Sequence, residues 1–270
     1  MKIIIIIFVL LISFILLIRA FENKLVFFPF KYPTGYWHPE AFNLEVEDCF
    51  FYTTDGVKLH GWYLKNPDAI ATMLWCHGNA GNISDRLDNL ARLAKLPLNV
   101  MIFDYRGYGK SEGSPNETGV YLDAEAAYDY LVSRPEVNTD KIVLFGQSLG
   151  SAVAVDLATK RKCRALILES AFTSAADMAR RMFAFLPVHL IVKSRFDSIN
   201  KIKKVNVPVL MLHGDRDRTV PFILGKRLFE AANEPKEFYE IKGADHNDTY
   251  IVGGEDYFQT LIKFIQGVME

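Results

Sequence analysis

Three cysteines in 270 residues, Cys49, Cys76 and Cys163, are too few and too scattered for a disulfide framework. None sits in a CxxC pair, which argues against structural zinc. They read as small buried or indifferent thiols, with a Cys49–Cys163 pairing left open, and they do not fix the redox compartment. An excess of charge is missing too. The 31 basic and 32 acidic residues leave a net charge of −1, with no long basic run. Non-specific nucleic-acid binding needs clustered Lys and Arg to neutralise phosphates, so nucleic acid is excluded as a partner. Seventeen Gly and eleven Pro are ordinary counts and exclude a collagen-like or low-complexity chain. Apolar residues are plentiful, at half of the total. An α/β domain of about 250 residues buries about three quarters of its unfolded surface, so a large core forms without staples.

The longest apolar run stands at the start. Residues 3–18 carry no charge before Arg19 ends the run. As a helix they cover about 24 Å, against about 30 Å for a hydrocarbon core. That suits a short spanning anchor or a signal-peptide core. The sequence after it, Arg19-Ala20-Phe21-Glu22-Asn23-Lys24, offers no A-x-A-like cleavage site. Residues 1–20 are therefore expected to be an uncleaved single-pass anchor, secretion after cleavage being the alternative. The Lys and Arg distribution slightly favours a cytoplasmic catalytic domain. Residues 21–43 hold aromatics, Pro and Gly without helical periodicity and read as an extended juxtamembrane segment. Within it Phe27, Phe28, Phe30, Tyr36 and Trp37 fit an interfacial aromatic belt or a cover for the core, and both readings stay open.

From residue 44 to 270 strands and helices alternate. Residues 44–53 and 57–64 flank Asp55-Gly56, a two-residue hairpin signal. Short apolar runs at 71–76, 100–103, 142–145, 165–168, 209–212 and 237–241 are separated by helical patterns opening at Ser84, Glu117, Ser151, Phe222 and near the C-terminus. Continuous apolar strands between helices indicate a parallel sheet covered on both faces. The expected fold class is α/β, one doubly wound, mostly parallel sheet opened by an antiparallel hairpin.

Open α/β sheets gather their chemistry beyond the carboxyl ends of the strands. There the chain places Gly146-Gln147-Ser148-Leu149-Gly150, a G-x-S-x-G turn between a strand and a helix. Such a turn strains the Ser backbone and exposes its Oγ. Composition alone gives about 0.04 chance matches per chain of this make-up, and the strand–turn–helix context strengthens the motif. A helix N-cap is the plainer reading of Ser148. A Ser hydroxyl needs a general base, itself oriented by a third group. His246 follows the last strand on a free loop and is the expected base, whereas His77 and His213 sit in His-Gly turns. The acid belongs after residues 209–212. Asp217 is far enough along that loop to turn back, and Asp215 is the runner-up, expected to bond its own turn. Two backbone N–H donors are needed for an oxyanion, expected at Leu149 and at Asn79 in the turn His77-Gly78-Asn79-Ala80-Gly81-Asn82. The Gly-rich stretch 104–113 matches neither nucleotide-loop pattern and reads as a structural loop framing the site. Asp245, His246 and Asp248 lack a second His at metal-ligand spacing, so no metal is expected.

HGNAGN, FDYRGYGKSEG, GQSLG, HGDRDRTVP and GADHND, in this order and spacing, resemble the α/β-hydrolase superfamily. The branch they resemble is that of membrane-anchored serine hydrolases related to eukaryotic depalmitoylases and fungal bud-emergence hydrolases. The apolar N-terminus and FFPF…GYWHPE extend the likeness over nearly the whole chain. It implies a triad of Ser148, Asp217 and His246 with Asn79 and Leu149 at the oxyanion hole. One departure is clear: the depalmitoylases carry a Cys-rich lipidated N-terminus where this chain has an apolar helix. Residues 171–207 are expected to form a short helical lid. Its Met178, Met182 and Phe183 are candidates for an adaptable acyl-binding wall, plain core packing being the alternative.

Three functions remain open at this point. The first is cleavage of esters or thioesters of an acylated small molecule, lipid or lipidated protein at the membrane, with no cofactor. The second is peptide cleavage by the same triad. The third is a non-catalytic anchored binding module.

Overall fold

The computed structural model describes residues 21–182 and 193–270, together with residues 13, 15 and 19. The anchor assigned to residues 1–20 falls almost wholly outside the described residues, as does the middle of the expected lid. Among the described residues no helix is long and apolar enough to cross a membrane.

Eight strands form one sheet in the order β1-β2-β4-β3-β5-β6-β7-β8. The hairpin of β1 (Glu47–Tyr52) and β2 (Lys58–Leu64) adds antiparallel to β4 (Leu98–Asp104). Beyond β4 every pairing is parallel, through β3 (Ala71–Cys76), β5 (Ile142–Gln147), β6 (Ala165–Glu169), β7 (Val209–Gly214) and β8 (Lys236–Ile241). The order reverses between β3 and β5, so the helices wind on both faces and the crevice opens beside these strands.

The apolar runs sort themselves by the two-residue period of a strand. On β3, Leu74 and Cys76 enter one core and Met73 and Trp75 the other. Helices α2 (Glu117–Val132), α3 (Leu149–Ala158) and α6 (Phe222–Ala231) cover the first face. Helices α1 (Leu87–Leu93) and α8 (Gly254–Met269) cover the second. The expected strand positions are all present, and β4, β5, β6 and β7 each run one or two residues further than the apolar letters, through the polar residues at their carboxyl ends. Those extra residues, Asp104, Gln147, Glu169 and His213, lead into the site.

Two helix starts differ from the sequence reading. The turn after β3 is capped by Asn82 with Asp85 reciprocating, not by Ser84. Helix α3 begins at Leu149, because the Ser151 N–H and hydroxyl both bond back to the Ser148 carbonyl, at 2.9 and 2.6 Å. The three cysteines are buried and unpaired. The lid region holds α4 (Ala175–Met182) and the short α5 (Ser198–Lys201).

Residues 28–32 lie across the loops after β3 and β4. Phe30 N–H donates to Gly81 O at 3.0 Å and Gly109 N–H to Phe30 O at 2.9 Å. Phe27 enters the core at 2% exposure, while Phe28, Phe30 and Tyr36 face outward and Trp37 packs edge-on to Trp62. Phe27 thus covers the core, and Phe28, Phe30 and Tyr36 do not.

Candidate active site

The turn after β5 has a backbone that ordinary residues avoid. Ser148 sits at φ 53, ψ −118 in the N-cap position of α3, yet its side chain caps nothing. Glycines make the turn possible. A Cβ on Gly150 would stand 1.9 Å from the Cys76 carbonyl oxygen, and one on Gly146 2.4 Å from the Gly150 oxygen. The helix start is therefore pressed against the end of β3, with Ser148 lifted above both.

His246 arrives on the loop after β8. Its Nε2 is 3.0 Å from Ser148 Oγ, and its Nδ1 is 2.7 Å from Asp217 Oδ2. The carboxylate fixes the proton on Nδ1 and leaves the Nε2 lone pair facing the hydroxyl. Asp217 is held in turn. Its Oδ1 accepts the amides of Thr219 at 2.9 Å and Val220 at 2.7 Å, and His213 Nε2 lies 3.4 Å from its Oδ2. Burial would raise the Asp217 carboxyl. Hydrogen bonds from His213 and His246, the attraction of His246 and the Val220 amide together hold it well below its ordinary 3.8. It stays ionised in a site it shares with only partly solvated neighbours.

Asp215 does not bond its own turn. Its Oδ1 accepts Gly243 N–H at 2.6 Å, because parallel β7 and β8 bring their carboxyl-end loops side by side. Asp245 binds the Arg218 amide at 2.9 Å and also its guanidinium. The two loops that carry Asp217 and His246 are thus stitched together.

Across the crevice the Asn79 side chain is clamped. Its Oδ1 takes the Tyr108 hydroxyl at 2.8 Å and the Phe28 amide at 3.3 Å, and its Nδ2 donates to Val26 O at 2.6 Å. The adjoining Gly78 packs on Ser148, where a Cβ would meet the Ser148 Cβ at 3.6 Å. Among the described residues no hydrogen bond takes up the backbone N–H of Asn79 or Leu149. The loop expected to frame the site does so: Tyr105 donates to His77 O at 2.9 Å, and Arg106 binds Asp123 and Asp55, each at 2.8 Å. Burial pulls the His77 imidazole down to about 3, so it is neutral.

One buried carboxylate was missed by sequence reasoning. Glu169, fully buried at the end of β6, accepts Gln147 Nε2 and Thr249 Oγ1, each at 2.8 Å, and the Tyr257 hydroxyl. Its own carbonyl accepts Ser148 N–H at 2.9 Å. It joins the nucleophile turn, the start of α7 (Thr249–Val252) and α8. Burial pushes its carboxyl above 4.5 against those three donors. The available signal was a lone acid ending an otherwise apolar strand.

The candidate pocket residues are placed differently. Met178 on α4 is half-buried against the main core, Met182 is the last residue of that helix, and Phe183 lies outside the described residues. Among the described residues no cluster of His, Cys, Asp and Glu is arranged to hold a metal ion. Chemically, the arrangement offers a hydroxyl beside an imidazole lone pair and an ionised acid behind that imidazole.

The serine aminopeptidase S33 family model (Hydrolase_4) matches residues 67–200. The α/β hydrolase domain-containing protein WAV2 of Arabidopsis thaliana is 38% identical over 277 residues, covering 93% of this chain and 89% of its own. Protein bem46 of Schizosaccharomyces pombe is 38% identical over 263 residues, covering 90% and 85%. Among solved structures, the Pyrococcus furiosus esterase Pf2001 superposes with a TM-score of 0.72 at 26% identity, over 90% of this chain and all of that one.

Proposed function

The chain belongs to the α/β-hydrolase family of WAV2 and bem46, and from that premise we propose that it is a serine hydrolase cleaving carboxylic esters or thioesters of acylated substrates. The observation that carries the reading is the line of contacts Asp217–His246–Ser148, at 2.7 and 3.0 Å, ending on a strained turn. The esterase Pf2001 supports the choice of ester over other acyl bonds.

In this reading Ser148 Oγ attacks the acyl carbonyl while His246 Nε2 takes its proton. The N–H groups of Asn79 and Leu149 receive the oxyanion. Collapse expels the alcohol or thiol, which leaves with the proton from His246, and the acyl group stays on Ser148. Water, deprotonated by His246, then attacks the acyl-enzyme, and the second collapse returns the Ser148 hydroxyl and releases the acid. Asp217 stabilises the imidazolium in both halves. The lid around Met178, Met182 and Phe183 is proposed to supply the acyl wall, and residues 1–20 to anchor the domain at a membrane.

The family description as a serine aminopeptidase favours peptide cleavage as a second reading. An aminopeptidase needs an acidic group to hold the substrate amine. On α4 the one acid, Asp177, is already paired with Arg180 at 2.9 Å and lies 3.8 Å from Arg227, which weighs against it. The test compares p-nitrophenyl butyrate, a butyryl thioester and alanine p-nitroanilide with the full-length chain and its Ser148→Ala variant. Ester and thioester turnover that falls by at least ~10⁴-fold in the variant supports the proposal. Anilide turnover dominating in the wild type replaces it with the peptidase.

A further inference from the structure

Eleven large apolar side chains are well exposed among the described residues, and nine of them lie on residues 21–36 or just past the loops after β7 and β8. Six stand on the N-terminal segment, which is not extended throughout as its composition suggested: Phe21 and Leu25 lie on a helix at 21–26, and Phe28, Phe30, Tyr32 and Tyr36 follow on or beside the stretch that crosses the loops after β3 and β4. Ile251 and Val252 lie on α7, just past His246, and Ile223 lies at the start of α6, just past Asp217. Phe28, Phe30 and Tyr32 are bonded to the loops after β3 and β4, and Ile223, Ile251 and Val252 lie just past the loops after β7 and β8, so these positions stand at the carboxyl ends of the parallel strands, the end that bears Ser148.

The two main groups flank one loop. On one side Gly81 exchanges hydrogen bonds with Phe28 O at 3.1 Å and with Phe30 N–H at 3.0 Å. On the other, Arg86 donates to Ala80 O, and Arg92 lies 5.6 Å over the ring of Tyr250, next to Ile251. Scattered single apolar residues need no explanation, but a rim of them on the segments at one end of the sheet does.

Its charge points to the occupant. Between residues 19 and 37 the sole acid is Glu22, which is buried and accepts the amides of Lys193 at 2.8 Å and Ser194 at 2.6 Å. The outward charges there are Lys24 and Lys31, and Lys110, 3.4 Å from Asp48, lies 5.7 Å over Tyr32. Aromatic and aliphatic side chains interleaved with Lys are the pattern of a protein surface at the headgroup level of an anionic bilayer. The rim also continues directly from the apolar run 3–18, most of which lies outside the described residues. A run of that kind in a membrane leaves residues 21–36 at the headgroups.

We propose that this rim is a lipid-contact surface: the edge bearing Ser148 sits on an anionic bilayer, and acyl chains enter the crevice from the lipid. The entry route rests on the proposed hydrolase activity, and the contact itself does not.

The test uses the full-length chain in phosphatidylcholine–phosphatidylserine vesicles with brominated acyl chains. Tryptophan is placed by Phe30→Trp, Ile251→Trp or, on the loop entering β6 at the amino ends of the parallel strands, Lys162→Trp, and the wild-type signal is subtracted. Quenching at positions 30 and 251 with none at 162 is the expected result. No quenching at 30 and 251, or equal quenching at 162, overturns the proposal and leaves a protein partner as the occupant of the rim. In a second measurement, the double variant Ile251→Ser, Val252→Ser is expected to cut turnover of a vesicle-borne palmitoyl ester about tenfold while soluble butyrate ester turnover stays within about twofold. Equal effects on both substrates overturn the entry route. Absence of any ester turnover in the wild type refutes the hydrolase reading alone, because the quenching needs no catalysis.

Discussion

Replacing Ser148 by Gly will give a more stable protein than replacing it by Ala, although both variants are inactive. Both remove Oγ and so lose the 3.0 Å contact to His246. Both keep the backbone bonds from Ser148 N–H to Glu169 O and from Ser151 N–H to Ser148 O. They differ in the Cβ, which the φ of 53 and ψ of −118 make unwelcome. A residue with a Cβ in such a region costs about 1–3 kcal/mol. Gly gives back about 0.5–1 kcal/mol through its freer unfolded chain. The difference left is about 1 kcal/mol in favour of Gly, which is roughly 2–4 °C in Tm for a chain of this size. Matched urea and thermal unfolding of the two variants in the same micelles measures it. A Gly variant no more stable than the Ala variant would refute the claim that the nucleophile turn stores strain.

Four further outcomes follow from the same geometry. Asp217→Asn should lower kcat/KM on an ester on the order of 10³–10⁴-fold, because the imidazole loses the acceptor that fixes its proton on Nδ1. The same variant tests a pH effect. Asp217 is held below 3.8 in the fold, so its ionised form contributes stability in full above about pH 4 and loses it as pH falls through the lowered value. Wild-type stability should thus fall more steeply into acid than that of the Asn variant, and parallel acid profiles would contradict this. Glu169→Ala strands the donors of Gln147, Thr249 and Tyr257 in a dry space and should cost about 3–5 kcal/mol in denaturant melts, against about 1 kcal/mol for Tyr257→Phe. Gly150→Ala drives a Cβ into the Cys76 carbonyl and should abolish soluble expression, whereas Gly243→Ala meets nothing within 4 Å and should cost about 1 kcal/mol for its φ of 81.

The order of elements was legible because apolar runs and helical spacing are local signals, and α2 and α6 begin where their patterns open, at Glu117 and Phe222. The positions of Ser148, Asp217 and His246 were legible because each follows a strand at its carboxyl end. Contacts that depend on which loops become neighbours were not. Asp215 reaches Gly243 across 28 residues, and Glu169 reaches Thr249 and Tyr257 across 80 and 88. No spacing rule announces such pairs. The aromatic group at 27–37 was ambiguous for a related reason. Composition states that the side chains are large and apolar, and only the pairing of Phe30 with Gly81 and Gly109 decides that Phe27 turns inward and Phe28 outward.

These particulars also explain how the site holds together. A strained nucleophile turn persists because glycines at 146 and 150 let α3 press on β3, and because Glu169 ties that turn to the base-bearing side of the crevice. The segment at 28–32 closes the opposite side by fastening Asn79 and Gly81. Ser148, His246 and Asn79 are therefore held in place by the fold itself, the preorganisation that the proposed hydrolase would require.

The most direct measurement of the central claim is labelling of the full-length chain by a fluorophosphonate, with the modified residue located by mass spectrometry. The account predicts a phosphonyl adduct on Ser148 in the wild type and none in Ser148→Ala or His246→Ala. A folded wild type that takes up no label, or a Ser148→Ala variant that still does, would contradict it.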